Sequence, residues 1–405
     1  MSKICGVITE YNPFHNGHAY HLDRSRYETG AQDIIAVMSG DFVQRGEPAI
    51  IDKYRRAQMA LNCGVDIVLE LPVAWATASA EGFASGACRL LDATNIVDSL
   101  CFGSEIGEIR PLKDVAYHLC RESDEFKRVL KKQMATGVSF PVARAAAIAA
   151  TLSQDAAAII SHPNNILGIE YLKALIKNDL IKRIVPHTIK RQGAEHNSNE
   201  FNSGTASAGA IRKHVRDGGD LASLVPLMPQ DSFRVLVGEH RKFAINDLDS
   251  FSPYFHHALH ITPKERLAEL SGLSTAAQNR LVATARQHYL ISDVLAATKS
   301  KSHTHTALQR AVLHITLGIS REVMHHDIPY IRILGFRREK EALLRRLVAA
   351  ASVPIITNLK HTKHLPNNLR NTLNLEISAT RAFWLGLKHK GVPEKNELET
   401  PMVIV

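Results

Sequence analysis

The sequence predicts an α/β fold, a Rossmann-like parallel sheet domain followed by a mostly helical C-terminal domain, on three observations. Short continuous apolar runs alternate with amphipathic stretches through the first half, the pattern of strands buried on both faces and joined by helices. The second half keeps the helical patterns but has few convincing strands. The charge divides at the same place: residues 1–212 carry as many acidic as basic side chains, so the whole net charge of +9 falls in residues 213–405.

Taken in order, Ile4–Ile8, Ile34–Met38, Ile67–Leu71 and Ser99–Phe102 read as buried strands, and Ile184-Val185 begins a later one. Between them His18–Thr29, Asp52–Cys63, Ala78–Leu91 and Arg110–Lys132 read as helices. An Ala-rich helical insertion covers about 110–160. A boundary near Gly218-Gly219 divides the chain into 1–217 and 218–405. Beyond it Asp231–Lys242, Thr275–Thr298, His303–Leu317 and Glu339–Ala351 read as helices, and the tail after Gly391 has no clear assignment.

With 405 residues, 45% of them hydrophobic and 22% charged, the chain forms a core without covalent staples. Its five cysteines are scattered, with no C-x-x-C pair. That argues against a disulfide framework or a zinc ribbon and for a reducing compartment. No apolar run approaches the roughly 20 residues that span a bilayer. The start meets an acid and a proline too soon for a signal peptide. A cytoplasmic protein without membrane contact is expected. The basic second half suits a polyanion such as nucleic acid, against the plainer reading of a solvated basic surface.

The chemistry concentrates in Tyr11-Asn12-Pro13-Phe14-His15-Asn16-Gly17-His18, directly after the first strand and before the first helix. Ligands of open α/β sheets bind at such strand ends. His15 and His18, three apart at a helix start, share a face. The free peptide N–H groups of that turn suit phosphate oxygens, and the imidazoles can donate to an α-phosphate as its charge spreads. A capping turn with incidental histidines is the alternative. A metal site lacks the carboxylate or cysteine that would complete the set.

This segment resembles the H-x-G-H signature of the nucleotidylyltransferases and class I aminoacyl-tRNA synthetases. Ala206-Ser207-Ala208-Gly209-Ala210-Ile211-Arg212 resembles their second signature, Ile-Ser-Ser-Thr-x-Ile-Arg, without two of its hydroxyls. The chain is more closely similar to the bacterial tRNA(Met) cytidine acetate ligases. The likeness runs through Glu10 to His18, Met38 to Ala49, Phe102-Gly103-Ser104-Glu105, Pro163 to Gly168 and Tyr330 to Phe336. It implies a two-step reaction in which acetate and ATP give acetyl-adenylate, and the wobble cytidine of elongator tRNA(Met) then takes the acetyl group as N4-acetylcytidine. ATP, with Mg2+, is implied as a substrate, and acetate and tRNA as its partners.

The same resemblance implies that Ile8, Thr9, Glu10, Tyr11, Asn12, Pro13, Phe14, His15, Asn16, Gly17, His18, Ala19, Tyr20 and His21 form the ATP loop, with His15 and His18 as the catalytic pair. Gly103, Asn165 or its neighbour Asn164, and Arg191 line the nucleotide site, and Ser207 and Arg212 hold the outer phosphates. Rival readings are a small-molecule adenylyltransferase, an enzyme passing acetate to a protein thiol, and a noncatalytic RNA-binding protein with a relic nucleotide site.

Outside these motifs, Arg45 either holds an anion or is a loop charge. Lys53, Arg55 and Arg56 start a helix, where cations are usually solvated. Arg337, Arg338, Arg345 and Arg346, with Lys360, His361, Lys363 and His364, either track tRNA phosphates or form a salt-bridged face with Glu339 and Glu341. Tyr289, Tyr330 and Trp384 either stack on a base or pack in the core. The histidines of the second half lack partners at diagnostic metal spacing.

Overall fold

β1 (Ile4–Thr9) sits in the middle of five parallel strands because its run of Ile, Cys, Gly, Val and Ile buries on both faces. The computed structural model describes residues 2–191, 206–325, 327–360, 365–388 and 391–405. Among them follow β2 (Asp33–Ser39), the hairpin of β3 (Phe42–Val43) and β4 (Glu47–Pro48), β5 (Ile67–Leu71), β6 (Ser99–Ser104), β7 (Val185–Lys190), β8 (Ile331–Phe336), β9 (Ile355–Ile356) and β10 (Val403–Ile404). The main sheet runs β10-β8-β5-β2-β1-β6-β7, with β9 beside β8. From β5 to β7 every pairing is parallel. The chain steps outward from β1 to β2 and β5, then returns to lay β6 and β7 on the other side of β1. Such a reversal opens a ligand crevice at the carboxyl ends of the strands beside it.

The second half is not confined to helices. β8 enters the sheet antiparallel to β5, with Phe336 opposite Ile67 and Arg332 opposite Glu70. β10, from the unassigned tail, pairs with β8. Gly218 follows the helix after the last of these parallel strands, and the sheet is completed only beyond it. Two predicted helices are each two: Arg110–Lys132 resolves into Ile109–Cys120 and Asp124–Ala135, and Thr275–Thr298 into Thr275–Ala285 and Ile291–Thr298. Ser123 and Ser274 start the second of one pair and the first of the other by accepting from backbone N–H groups, as helix caps do. The insertion continues through Phe140–Thr151 and Gln154–Ile159. No helix among the described residues is long and apolar enough to cross a membrane.

Lys53 and Arg56 are not solvated; both side chains are fully buried. Lys53 Nζ lies 2.7 Å from Glu70 Oε1, 2.9 Å from Thr380 Oγ1, 3.7 Å from Glu376 and 3.9 Å from Asp41, and also pairs with Glu397. Arg332 binds Glu397 at 2.6 Å, Glu70 at 3.1 Å and the Tyr54 hydroxyl at 2.7 Å. Burial alone would lower the Lys53 ammonium's pKa, but Glu397 and Glu70 outweigh it and hold it well above the usual range. Burial and the neighbouring Glu70 also raise the Glu376 carboxyl well above the usual range, which favours its protonated form. The two cations thus face a cluster whose negative charge is partly quenched. Glu376, Glu397 and Arg332 come from beyond residue 330 and fasten that part of the chain to the carboxyl ends of β2 and β5.

Candidate active site

The loop after β1 is held from several sides before it presents a side chain. Arg56 Nη1 donates to the Glu10 carbonyl at 2.6 Å and to the Ser39 carbonyl at 3.1 Å, tying the ends of β1 and β2 together. The Asn12 side chain accepts from Ile50 N at 2.8 Å, and Arg212 Nη1 donates to the Asn12 carbonyl at 2.8 Å. Glu10 Oε1 accepts from Gln44 N at 3.0 Å, and burial pushes its carboxyl pKa upward.

His15 then caps the helix Asn16–Thr29. Its Nδ1 accepts from Gly17 N at 3.0 Å, while His18 Nδ1 accepts from His15 N at 3.3 Å. An accepting Nδ1 places the proton of a neutral imidazole on Nε2. Both rings therefore carry an Nε2–H donor, and both line the same cavity. The rings stack with centroids 3.9 Å apart, an arrangement that disfavours two charged imidazolium groups. Burial, with the charges of Arg191 and Arg212, lowers His15 to about 3; burial and the neighbouring His15 hold His18 well below the usual range. Gly17 is required by His15 itself, since a Cβ there would lie 2.8 Å from the ring's Cε1.

The cavity, about 970 Å³, opens at the carboxyl ends of β1, β6 and β7. Ile8, Thr9, Glu10, Tyr11, His15, Gly17, His18, Tyr20 and His21 line it. Asn12, Pro13, Phe14, Asn16 and Ala19 of the same segment do not; Phe14 is core, and Asn16 Nδ2 donates to the Pro226 carbonyl at 2.8 Å. Gly103 lines it from β6, and Arg191 lies across that glycine, its Cγ 3.3 Å from where a Cβ would stand. Asn164 lines it, whereas Asn165 is buried below, its Oδ1 accepting from Glu105 N at 2.9 Å and Ile106 N at 3.2 Å. Ser207 caps the helix Ala208–Arg216 through Ala210 N at 3.1 Å, which leaves the N–H groups at the start of that helix for a ligand. Arg212 lines the cavity too, but its Nη2 is paired with Glu47 at 2.8 Å, so it braces the loop as well as facing the ligand.

Sequence reasoning missed Ser79, Arg144, Glu170, Lys173 and Arg310, which also line the cavity. Arg45, left open above, is there as well. One signal was available: Ser79 and Thr304 cap the helices Ala80–Ala93 and His305–Leu317, and the first turns of both helices reach the cavity.

Arg337, Arg338, Arg345 and Arg346 are not brought to this site. Because β8 is antiparallel to β5, its end lies beside Ile67, at the opposite edge of the sheet from the cavity. Arg337 pairs with Asp66 and Glu339, Arg345 with Glu341 at 2.7 Å, and Arg346 donates to the Ser2 carbonyl at 3.2 Å. Tyr330 and Trp384 are core residues, while Tyr289 is exposed and stacks on His256. His361, Lys363 and His364 lie outside the described residues.

The stability of the ligand-free protein is expected to fall as pH drops from 6.5 toward 3. His15 titrates near 3 when folded and near 6.5 when unfolded. Within that window the unfolded chain binds the extra proton, so acid favours unfolding. The slope approaches about 1.4 kcal/mol per pH unit per histidine. Urea midpoints at pH 7 and pH 5 check this: His15→Gln should lose less between them than the wild type, and equal losses would remove His15 from the effect.

Comparison with known proteins agrees with this geometry. The HIGH Nucleotidyl Transferase family model matches residues 2–397. The tRNA(Met) cytidine acetate ligase of Clostridium novyi (strain NT) is 35% identical over 98% of this chain and 98% of its own length. That of Clostridium tetani is 37% identical over 99% and 100%. Among solved structures, apo Thermotoga maritima TmcAL superposes with a TM-score of 0.92 at 33% identity, covering 100% of this chain and 99% of that one. The same protein bound to alpha-thio ATP gives 0.90 at 33% identity over the same shares.

Proposed function

We propose how this chain, which belongs to the HIGH nucleotidyl transferase family and within it to the tRNA(Met) cytidine acetate ligases, carries out its reaction. It is an ATP-dependent ligase that acts in two steps. An acetate oxygen attacks the α-phosphorus of ATP, pyrophosphate leaves, and acetyl-adenylate forms. The N4 amine of the target cytidine, the wobble base of elongator tRNA(Met), then attacks the acetyl carbonyl carbon. AMP leaves, the nitrogen gives up a proton, and N4-acetylcytidine results.

The observation that carries this reading is the pair of neutral imidazoles with Nε2–H donors at the switch point of the sheet. They stabilise charge that develops on the α-phosphate without having to change protonation. Arg191 and the N-terminus of Ala208–Arg216 take the outer phosphates. Mg2+, as the counter-ion of ATP, would neutralise part of the charge on its phosphates.

Transfer is direct. No cysteine is among the residues that line the cavity, and burial raises Cys5 to about 11 and Cys101 to about 12, far from a reactive thiolate. We place the reaction in the cytoplasm and the body of the tRNA on the basic second half. Where the tRNA enters the cavity, Arg310 from the second half and Arg45, Lys177 and Lys190 from the first, which line it, meet its phosphates. Incubation with ATP, radiolabelled acetate and total tRNA, followed by nucleoside analysis, is expected to show label in N4-acetylcytidine of tRNA(Met). Label on protein, or in no nucleoside, would refute the assignment.

A further inference from the structure

The cavity has more wall than adenylate formation beside β1 and β6 uses. Its far side is built by the helical insertion and by Pro163–Lys177, through Phe140, Pro141, Arg144, Glu170, Tyr171 and Lys177. Phe140 lines the cavity and is nevertheless 50% exposed. The Arg144 guanidinium carbon stands 5.7 Å from its ring centroid. Arg144 is in turn fixed, since its Nη1 donates to Glu170 Oε1 at 2.7 Å and Glu170 Oε2 accepts from Lys173 Nζ at 2.7 Å. Folding would have buried a phenyl ring if burial were its purpose. Here the network holds it at a cavity wall with its surface open.

An unpaired base is the ligand that such a wall fits. Bases splayed out of a loop stack on aromatic rings and arginine planes, and nearby cations meet the flanking phosphates. Lys177 is half exposed beside Glu81, and Arg310 lines the same cavity. The volume, near the upper end of what one drug-sized ligand fills, leaves space beside a nucleotide. A base must leave its stack for its exocyclic amine to be reached, and an acetyl-adenylate held at His15 and His18 fixes where that amine must arrive.

We propose that Phe140 is the stacking platform for the unstacked acceptor cytosine, so that the helical insertion forms the acceptor side of the active site. The proposal rests on the chain being a tRNA cytidine acetate ligase. It assigns Phe140 to positioning the second substrate.

The test compares two rates in the intact protein: pyrophosphate release with ATP and acetate alone, and acetyl transfer to an anticodon stem-loop of tRNA(Met). In Phe140→Ala the ratio of transfer to activation is expected to fall on the order of 5- to 150-fold, the range of one base–aromatic stack, mainly through a higher KM for the RNA. Phe140→Tyr and Phe140→Trp should restore the ratio, and Phe140→Leu should not, because a flat ring rather than apolar bulk is required. A wild-type ratio in Phe140→Ala, a parallel fall of both rates, or full restoration by Leu would overturn the proposal. A wild-type protein that releases pyrophosphate yet acetylates no RNA would instead overturn the functional reading, and this inference with it.

Discussion

His18→Ala is expected to slow acetyl-adenylate formation about 100- to 1000-fold, the usual effect of deleting one donor to a developing oxyanion. The ring's Nδ1 accepts from His15 N, so the substitution removes that bond together with the Nε2–H that we propose meets the α-phosphate. His15→Ala should also be slow, but it adds a second loss. His15 caps Asn16–Thr29 through Gly17 N, and removing a cap costs about 1 kcal/mol. His18→Ala loses the reciprocal, longer bond from His15 N, so both variants should lower the urea midpoint, His15→Ala the more. The rate is read as acetate-dependent pyrophosphate release at saturating ATP. Wild-type turnover in His18→Ala would mean that the phosphate is stabilised elsewhere.

Lys53→Met is expected to destabilise the protein by about 3–5 kcal/mol, the cost of stranding a buried charge partner. Lys53 touches Glu70, Glu376, Glu397 and Asp41 in a fully buried site, and Arg332, with Arg56 near Asp41 and Glu70, would be left to face them. Glu397→Gln in the same chain should recover part of the loss by removing one of the stranded charges. Chemical unfolding of the single and double variants measures both. An unchanged midpoint in Lys53→Met would show that the cluster discharges itself by protonation alone.

Much of the parallel sheet was legible because strands buried on both faces must be apolar throughout, as Asp33–Ser39 and Ile67–Leu71 are. The motif around His15 was legible because strand, turn, cap and helix follow one another without interruption. β8 was not, since Arg332 interrupts its apolar run, and its burial depends on Glu70 and Glu397, far away in sequence. Lys53 hid for the same reason. Asn164 and Asn165 could not be told apart because adjacent residues at a helix start point in different directions. The position of the arginines after β8 was not legible for a different reason: a charge count records sign and number but not which edge of a sheet carries them.

The antiparallel strand beside β5 also sets an order of events during synthesis. Residues up to 190 supply the five parallel strands and the histidine pair, yet at that moment β5 has an open edge and Lys53 lacks Glu376 and Glu397. An open strand edge invites pairing with another chain, and an unfinished buried charge opposes closure of the core. The nascent first half must therefore wait for some two hundred further residues before its sheet is sealed, which exposes it to chaperones in the interval.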